Sequence, residues 1–101
     1  MKVKTSELQG PALDWAVCRA IDTKYFGAIT SPSTDWSQCG PLVEQLGVAI
    51  SPEQFGWEAA VYDGGHINPV DGQGPAPLIA ACRAIVETKL GDEVDVPEGL
   101  L

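Results

Sequence analysis

Residues 76–90 read APLIAACRAIVETKL, and this stretch decides the fold class more firmly than any other part of the chain. Its apolar side chains recur with the period of an α-helix. They are Leu78, Ile79, Cys82, Ile85, Val86 and Leu90. Gly91 follows directly, and a glycine at that position commonly ends a helix. The sequence therefore predicts a helix over 76–90 with an apolar stripe on the core.

An earlier helix is predicted where Pro11, just after Gly10, can occupy the first helical position. Its apolar face consists of Leu13, Ala16, Val17, Ala20 and Ile21. Trp15 points away from that face, with Arg19 one turn later, so the two side chains can form a cation–π pair. The indole is covered by the N-terminal arm or another subunit, or, alternatively, it stacks on a ligand, and either role indicates an interface.

The polar stretch Ser31–Gly40 contains the start of another predicted helix, near Thr34 or Asp35. Asp35 and Gln38 have capping spacing, and Ser33 or Thr34 is an alternative cap. The predicted apolar face of this helix consists of Trp36, Cys39, Gly40, Val43 and Leu46. This face places Trp36 in the core. Pro41 has no backbone N–H, so we expect it to break or kink the helix. The same polar stretch suits either a structural cap or a ligand contact, and the sequence does not choose between them.

Short strands are predicted after Gly47. Residues 48–50 form the first strand, followed by a turn at Ser51-Pro52. The alternation over 55–62, with Phe55, Trp57, Ala59 and Val61 on one face, predicts a second strand and a hairpin. Glycines and prolines mark 63–77 as a long irregular loop, and the acidic tail at 92–101 contains a short edge strand.

These elements predict an α+β fold in one domain over residues 1–101. A small antiparallel sheet of two to four strands packs with three helices in the chain order α-α-β-β-α. The chain has 101 residues, 45% of them hydrophobic, and no apolar run approaches the ~18 residues of a membrane span. No signal peptide is visible, so we expect a cytoplasmic protein that does not bind membranes.

Charge limits the partners of this protein. Fourteen acidic and six basic residues give a net charge of −8, and no Lys or Arg occurs from Tyr25 through Cys82. Binding to double-stranded nucleic acid needs clustered cations, so it is not expected. The acidity indicates solubility, or a surface that attracts a basic protein.

No motif for catalysis or metal binding stands out. Cys18, Cys39 and Cys82 are far apart in the sequence, and His66 is the only histidine, so reduced and mostly buried thiols are expected. Acid pairs such as Glu58 with Asp63 are expected by chance in so acidic a chain. The sequence predicts no enzyme, no cofactor and no metal site.

Arg83 has two interpretations. It lies at the margin of the stripe in 76–90, with Glu87 one turn later, and an exposed pair of this kind contributes only a few tenths of a kcal/mol. Alternatively, it is the only guanidinium within reach of the central region and binds an anionic ligand group.

Several linked segments resemble the small NinX-like proteins of tailed bacteriophages and their prophages. The segments are 5–8 (TSEL), 13–17 (LDWAV), 32–36 (PSTDW), 40–44 (GPLVE), 77–83 (PLIAACR) and 89–94 (KLGDEV). Their order and spacing cover nearly the whole chain. Cys39, in place of a glycine, and an insertion-like run at 63–74 depart from the family pattern. The second half is also similar to the phage ABA-sandwich domain, which implies helices packed on a small antiparallel sheet.

The resemblance implies a phage accessory protein of unknown function, made in the cytoplasm of the bacterial host, with no enzymatic activity to transfer. By analogy, we expect a counter-defence role. The first hypothesis is a non-catalytic sponge that sequesters a nucleotide-derived signalling molecule, with self-association into a homo-oligomer. Its candidate ligand-binding residues are Ser33, Thr34, Asp35, Trp36, Gln38, Trp57 and Arg83. The second is an acidic protein-interaction module that inhibits a host defence or DNA-binding protein.

Overall fold

The computed structural model describes residues 1–21, 30–63, 66–67 and 72–100. The helices are α1 (Gly10–Ala20), α2 (Trp36–Leu46) and α3 (Pro77–Leu90). The strands are β1 (Lys2–Lys4), β2 (Val48–Glu53), β3 (Gly56–Asp63), β4 (His66–Ile67), β5 (Gly72–Gly74) and β6 (Glu93–Asp95). Short 3-10 turns occupy Thr5–Glu7 and Glu98–Leu100. The α+β class is confirmed, whereas the order α-α-β-β-α omitted β1, β4 and β5. It also omitted β6, which was predicted separately as the edge strand of the tail.

Strand β3 organises the main sheet. It pairs antiparallel with β2 over its first six residues, from Gly56 opposite Glu53 to Val61 opposite Val48. On its other edge, residues 57–59 pair antiparallel with β5, and the end of the strand pairs with β4. The predicted hairpin of β2 and β3 is confirmed, and its inward residues Ala59 and Val61 are buried as the alternation required.

The hairpin turn lies later in the chain than the sequence predicted. Ser51 and Pro52 belong to β2, which continues to Glu53, and the turn falls at Gln54 and Phe55. Pro52 is tolerated because β2 is an edge strand, where a missing N–H costs no ladder hydrogen bond. Phe55, expected on the buried face of a strand, is instead 88% exposed in the turn.

Helix α3 is the centre of the core, as its sequence predicted. Seven of its residues are buried, and several have no exposed surface at all: Ala80, Ala81, Cys82, Ala84, Ile85 and Val86. Gly91 follows its last turn with φ of 92°, a conformation that glycine adopts readily. Only Leu90 departs from the predicted apolar stripe, because at the end of the helix it is 38% exposed.

Part of the predicted irregular loop at 63–77 is strand. Gly72 approaches α3 so closely that a Cβ on it would lie 2.4 Å from both the Ala80 carbonyl oxygen and the Ala84 nitrogen. Glycine therefore allows β5 to pack directly against α3 while it pairs with β3 in the sheet. The loop prediction was wrong here because a glycine-rich strand carries no side-chain alternation to detect. Positions 64–65 and 68–71 of the loop lie outside the described residues.

Helix α2 differs from its prediction in two ways. Of the break or kink expected at Pro41, the break is absent, because the helix is continuous and the proline costs one backbone hydrogen bond in the second turn. Its buried residues are Cys39 and Leu42, so the core-facing side is rotated toward Leu42. As a result Trp36, predicted in the core, is 52% exposed.

The two ends of the chain pair with each other. Strand β1 lies antiparallel to β6, with Val3 opposite Val94, and the predicted edge strand of the tail is thereby confirmed. Thr5 links the first 3-10 turn to the segment after α3, because its hydroxyl donates to the Gly91 carbonyl at 2.7 Å and its N–H donates to the Asp92 backbone carbonyl at 2.8 Å. In the described part of the chain, no helix combines the length and the apolar character needed to cross a bilayer.

Candidate functional site

The start of α2 is a hydrogen-bonded network around Asp35. Asp35 is the N-cap: its Oδ1 accepts hydrogen bonds from the Ser37 N–H at 2.9 Å and from the Ser37 hydroxyl at 2.7 Å. These bonds lower the pKa of the Asp35 carboxyl below its usual value. The structural-cap interpretation of Asp35 is therefore satisfied, and an ionised carboxylate lies at the helix start.

Gln38 extends this network to the preceding turn. Its Oε1 accepts from the N–H groups of Thr30 at 2.8 Å and Ser31 at 2.7 Å, and its Nε2 donates to Asp35 Oδ2 at 3.4 Å. The spacing of Asp35 and Gln38 predicted a reciprocal cap. The observed arrangement differs from a reciprocal cap, because the Gln38 side chain accepts hydrogen bonds from N–H groups several residues before the helix.

Ser33 connects the same turn to α1. Its N–H donates to Asp14 Oδ1 at 2.9 Å, and its side chain is only 4% exposed. The Ser33 hydroxyl is buried without a hydrogen-bond partner among the described residues. A buried hydroxyl in this state costs free energy, which water or a ligand group relieves.

The remaining predicted residues are in different environments. Thr34 and Trp36 are exposed beside the cap, and Trp36 presents an indole to solvent. Trp57 belongs to β3, where it is half buried against the core and opposite Pro52 and Gly74. Among the predicted residues, hydrogen bonds join Asp35 to Gln38. Trp57 is not part of this network, because it belongs to the sheet.

Arg83 holds two backbone segments together. Its Nε donates to the Leu8 carbonyl and its Nη1 to the Gln73 carbonyl, both at 2.8 Å. Partial burial lowers the pKa of its guanidinium. These contacts give Arg83 a structural role that neither interpretation from the sequence included, because its acceptors are backbone oxygens of the N-terminal segment and β5.

The thiols lie in two kinds of environment. Cys39 on α2 and Cys82 on α3 are free and fully buried, and the interaction with Cys39 together with burial raises the pKa of the Cys82 thiol. Cys18 on α1 is partly exposed, and burial together with the Asp14 carboxylate raises its pKa. Reduced, mostly buried thiols were predicted, and the burial is confirmed for Cys39 and Cys82. No three metal-ligating side chains come together within the described ranges.

A cavity of about 800 Å³ lies at the start of α1, a place that the sequence did not predict. It is lined mainly by apolar residues of β1, the first 3-10 turn, α1, α3 and the last 3-10 turn, including Val3, Leu8, Pro11, Ile79 and Leu100. None of the seven predicted ligand-binding residues lines it. Residues from both ends of the chain line the cavity, so no local sequence pattern predicts the cavity.

Trp15 and Arg19 form the expected pair on α1. The Arg19 guanidinium carbon lies 5.6 Å from the centroid of the indole, within the range of a cation–π contact. Trp15 is also partly buried against the core.

Comparison with known proteins gives one family. No curated protein is similar enough to this chain to count as a match. The family described as Bacteriophage P22, NinX matches residues 21–89 of the chain. The match extends from the end of α1 into α3, and the similarity to the ABA-sandwich domain stays a prediction. With more than half of its residues matched, this chain belongs to the NinX family of bacteriophage proteins.

Proposed function

We propose that this phage accessory protein is a non-catalytic interaction module whose acidic surface, centred on Trp36, binds a positively charged segment of a host protein. The observation that carries the proposal is the indole of Trp36, which is 52% exposed beside the ionised Asp35. No Lys or Arg occurs from Tyr25 through Cys82 to repel a cation there. The host cytoplasm is where such a partner would be met.

Two physical effects favour a basic partner over an anionic one. A guanidinium or ammonium on the face of an exposed indole gains about 0.5–1 kcal/mol. The net charge of −8 also speeds encounter with a basic surface at low salt. Asp35 already supplies negative charge to the start of α2, and two of the five N–H donors of Arg83 are bonded to backbone carbonyls, which makes a phosphate group a poorer fit.

A defined basic peptide tests this function. Anisotropy of a labelled peptide of alternating Arg and Gly is measured against the full chain at low salt, with an acidic peptide as the reference ligand. We expect Trp36→Ala to weaken binding of the basic peptide by about two- to five-fold. Phe55→Ala is the matched control, because Phe55 is 88% exposed but lies in the hairpin turn.

Equal effects of the two substitutions, or no binding of the basic peptide, would refute the proposal. If Trp36→Ala alone weakens binding, the partner is sought with a photo-crosslinking residue at position 36 in infected cells, and the same residue at position 55 serves as the reference. A host protein captured only from position 36 identifies the partner, and its basic segment is tested in the anisotropy assay.

Sequestration of a nucleotide-derived immune signal is a second candidate function. The observation that favours it is the Ser33 hydroxyl, which is buried without a described partner next to the exposed Thr34 and near Trp36 in sequence. An indole that stacks on a base and hydroxyls that bond to ribose oxygens would suit such a ligand. Self-association would enclose the exposed indole and is part of this second proposal.

Calorimetry distinguishes this candidate from the first. Cyclic nucleotides and ADP-ribose derivatives are titrated into the full chain, and light scattering of the same sample gives its oligomeric state. Binding with a dissociation constant below about 1 mM that is lost in Ser33→Ala and Trp36→Ala supports sequestration. The absence of heat across the panel, or binding unchanged by both substitutions, would exclude it.

A further inference from the structure

Strand β2 forms one edge of the main sheet. Its only partner among the described strands is β3, so the other edge of β2 carries backbone groups that no described strand pairs. An edge of this kind is a template for pairing with another chain. The proposed function does not use this edge.

The register with β3 shows which backbone groups of β2 point to the open edge. The Tyr62 N–H donates to the Gly47 carbonyl at 2.7 Å, which makes these two residues a hydrogen-bonded pair at the start of the ladder. Such pairs alternate along an antiparallel ladder, so Ala49 and Ser51 bond to β3 as well. The residues between them direct their backbone groups away from β3. These groups are the N–H and carbonyl of Val48 and of Ile50, and the carbonyl of Pro52.

We propose that this edge is a self-association surface, at which β2 of a second copy pairs antiparallel across a two-fold axis through Ile50. The two copies of Ile50 then exchange both of their backbone hydrogen bonds. The Val48 N–H donates to the Pro52 carbonyl of the second copy, and the symmetry repeats this bond. Pro52 has no N–H and serves only as an acceptor, so the register uses every N–H that points to the edge.

The side chains of β2 favour a second copy as the occupant of the edge. Ile50 is apolar and only partly buried, and in this register it lies beside its own copy. Ala49 and Ser51, which are exposed, lie opposite each other as small neutral residues. The one charged residue of the strand, Glu53, lies opposite Gly47 of the second copy. Like charges directly opposite each other destabilise a strand pair, and this register contains none among the residues of β2.

Net charge and contact area set the conditions for association. Each copy carries a net charge of −8, so the copies repel each other and association should increase with salt. A strand of six residues buries less than the ~1,600 Å² of a standard interface, so we expect dimers at protein concentrations on the order of 0.1–1 mM. A basic extended segment, the other possible occupant, would bind more weakly as salt increases.

Two double variants of the full chain test the register. In Ala49→Lys/Ser51→Lys each lysine faces a lysine of the second copy, whereas in Ala49→Glu/Ser51→Lys each lysine faces a glutamate. Both positions are exposed, and circular dichroism checks the fold. By sedimentation equilibrium at about 0.15 M salt, we expect the first variant to dimerise about three- to ten-fold more weakly than the second. Its net charge is less negative, which alone favours the opposite result, so the comparison is specific for the register.

Amide exchange of the wild-type protein, followed by NMR, gives a second readout. We expect the Val48 and Ile50 amides to exchange more slowly at high than at low protein concentration. The Ala49 and Ser51 amides, which bond to β3 in both states, are the reference. A chain that stays monomeric at about 1 mM in high salt, equal association of the two variants, or unchanged exchange at Val48 and Ile50 would overturn the proposal. Protection of these two amides by the basic peptide alone would overturn it as well and assign the edge to a basic segment.

Discussion

At the scale of single residues, Arg83 stabilises the fold by donating hydrogen bonds to backbone carbonyl oxygens. Replacing it by methionine keeps an apolar stem but leaves the carbonyls of Leu8 and Gln73 without their donors. We expect Arg83→Met to lower the free energy of unfolding by about 1–2 kcal/mol, because partial exposure lets water replace some of the lost bonding. Urea unfolding at neutral pH measures the change.

Arg19→Met is the control for that substitution. Among the described residues, the contact that Arg19→Met removes is the one with the Trp15 ring, which contributes about 0.5–1 kcal/mol at an exposed site. Equal destabilisation by the two substitutions would show that the Arg83 bonds to backbone contribute little.

Ser33 should behave in the opposite way from an ordinary buried polar residue. In Ser33→Ala the N–H bond to Asp14 remains, while a hydroxyl without a described partner is removed. We expect the free energy of unfolding to stay constant or rise by up to about 1 kcal/mol in ligand-free protein. Thermal unfolding tests this expectation, and a clear loss of stability would mean that water already satisfies the hydroxyl.

Asp35 gives the start of α2 a pH dependence of known sign. Its folded-state pKa is lowered by the bonds from Ser37, so its stabilising contribution is present above the usual carboxyl pKa and is lost as the pH falls through the lowered value. The difference in melting temperature between wild type and Asp35→Ala should therefore be constant from about pH 5 to 7 and shrink below about pH 4. Glu44→Ala, an exposed carboxylate on the same helix, is the reference. A difference that grows on acidification would contradict the assignment.

At the scale of elements, the packing of β5 on α3 depends on the absence of a side chain at Gly72. A Cβ at Gly72 would meet backbone atoms of Ala80 and Ala84 at 2.4 Å, and backbone cannot move aside as a flexible side chain can. We expect Gly72→Ala to destabilise the protein by about 2–3 kcal/mol, the upper range for overpacking. Chemical denaturation measures it.

Gly99→Ala is the matched control for Gly72→Ala. A Cβ at Gly99 has no heavy atom within 4 Å, so its replacement should change stability by less than about 0.5 kcal/mol. If the two alanine variants are equally stable, β5 does not pack on α3 as described.

The elements also show which features the sequence could predict. Helix α3 and the alternation in β3 were predicted because each buries a periodic apolar face, and the Asp35–Gln38 spacing indicated the cap network. Strand β5 was missed because its two glycines give no side-chain alternation, and its strand character comes from pairing with β3, which is distant in the sequence. The exposure of Trp36 depends on which side of α2 packs on α3, and the cavity depends on both chain ends. These are tertiary effects that no local window contains.

At the scale of the whole molecule, the net charge of −8 opposes compaction. Only six basic residues offset fourteen acids, so repulsion between carboxylates is not balanced by pairing. Salt at about 0.5 M shortens the screening length to a few ångströms, and we expect the melting temperature to rise by about 2–5 °C relative to about 10 mM salt. A scan in sodium chloride measures this rise.

A charge-reduced variant distinguishes screening from a general effect of salt on the hydrophobic core. Glu44 and Glu53 are exposed on α2 and β2. Changing both to glutamine makes the net charge less negative without altering the apolar contacts. The response of this double variant to salt should be smaller, because fewer carboxylates repel each other. The same variant should bind the basic peptide more weakly, since steering and self-repulsion arise from the same carboxylates. An unchanged salt response would mean that the acids are too dispersed to act together, and the acidic surface would then have to recognise its partner through local contacts at Trp36 alone.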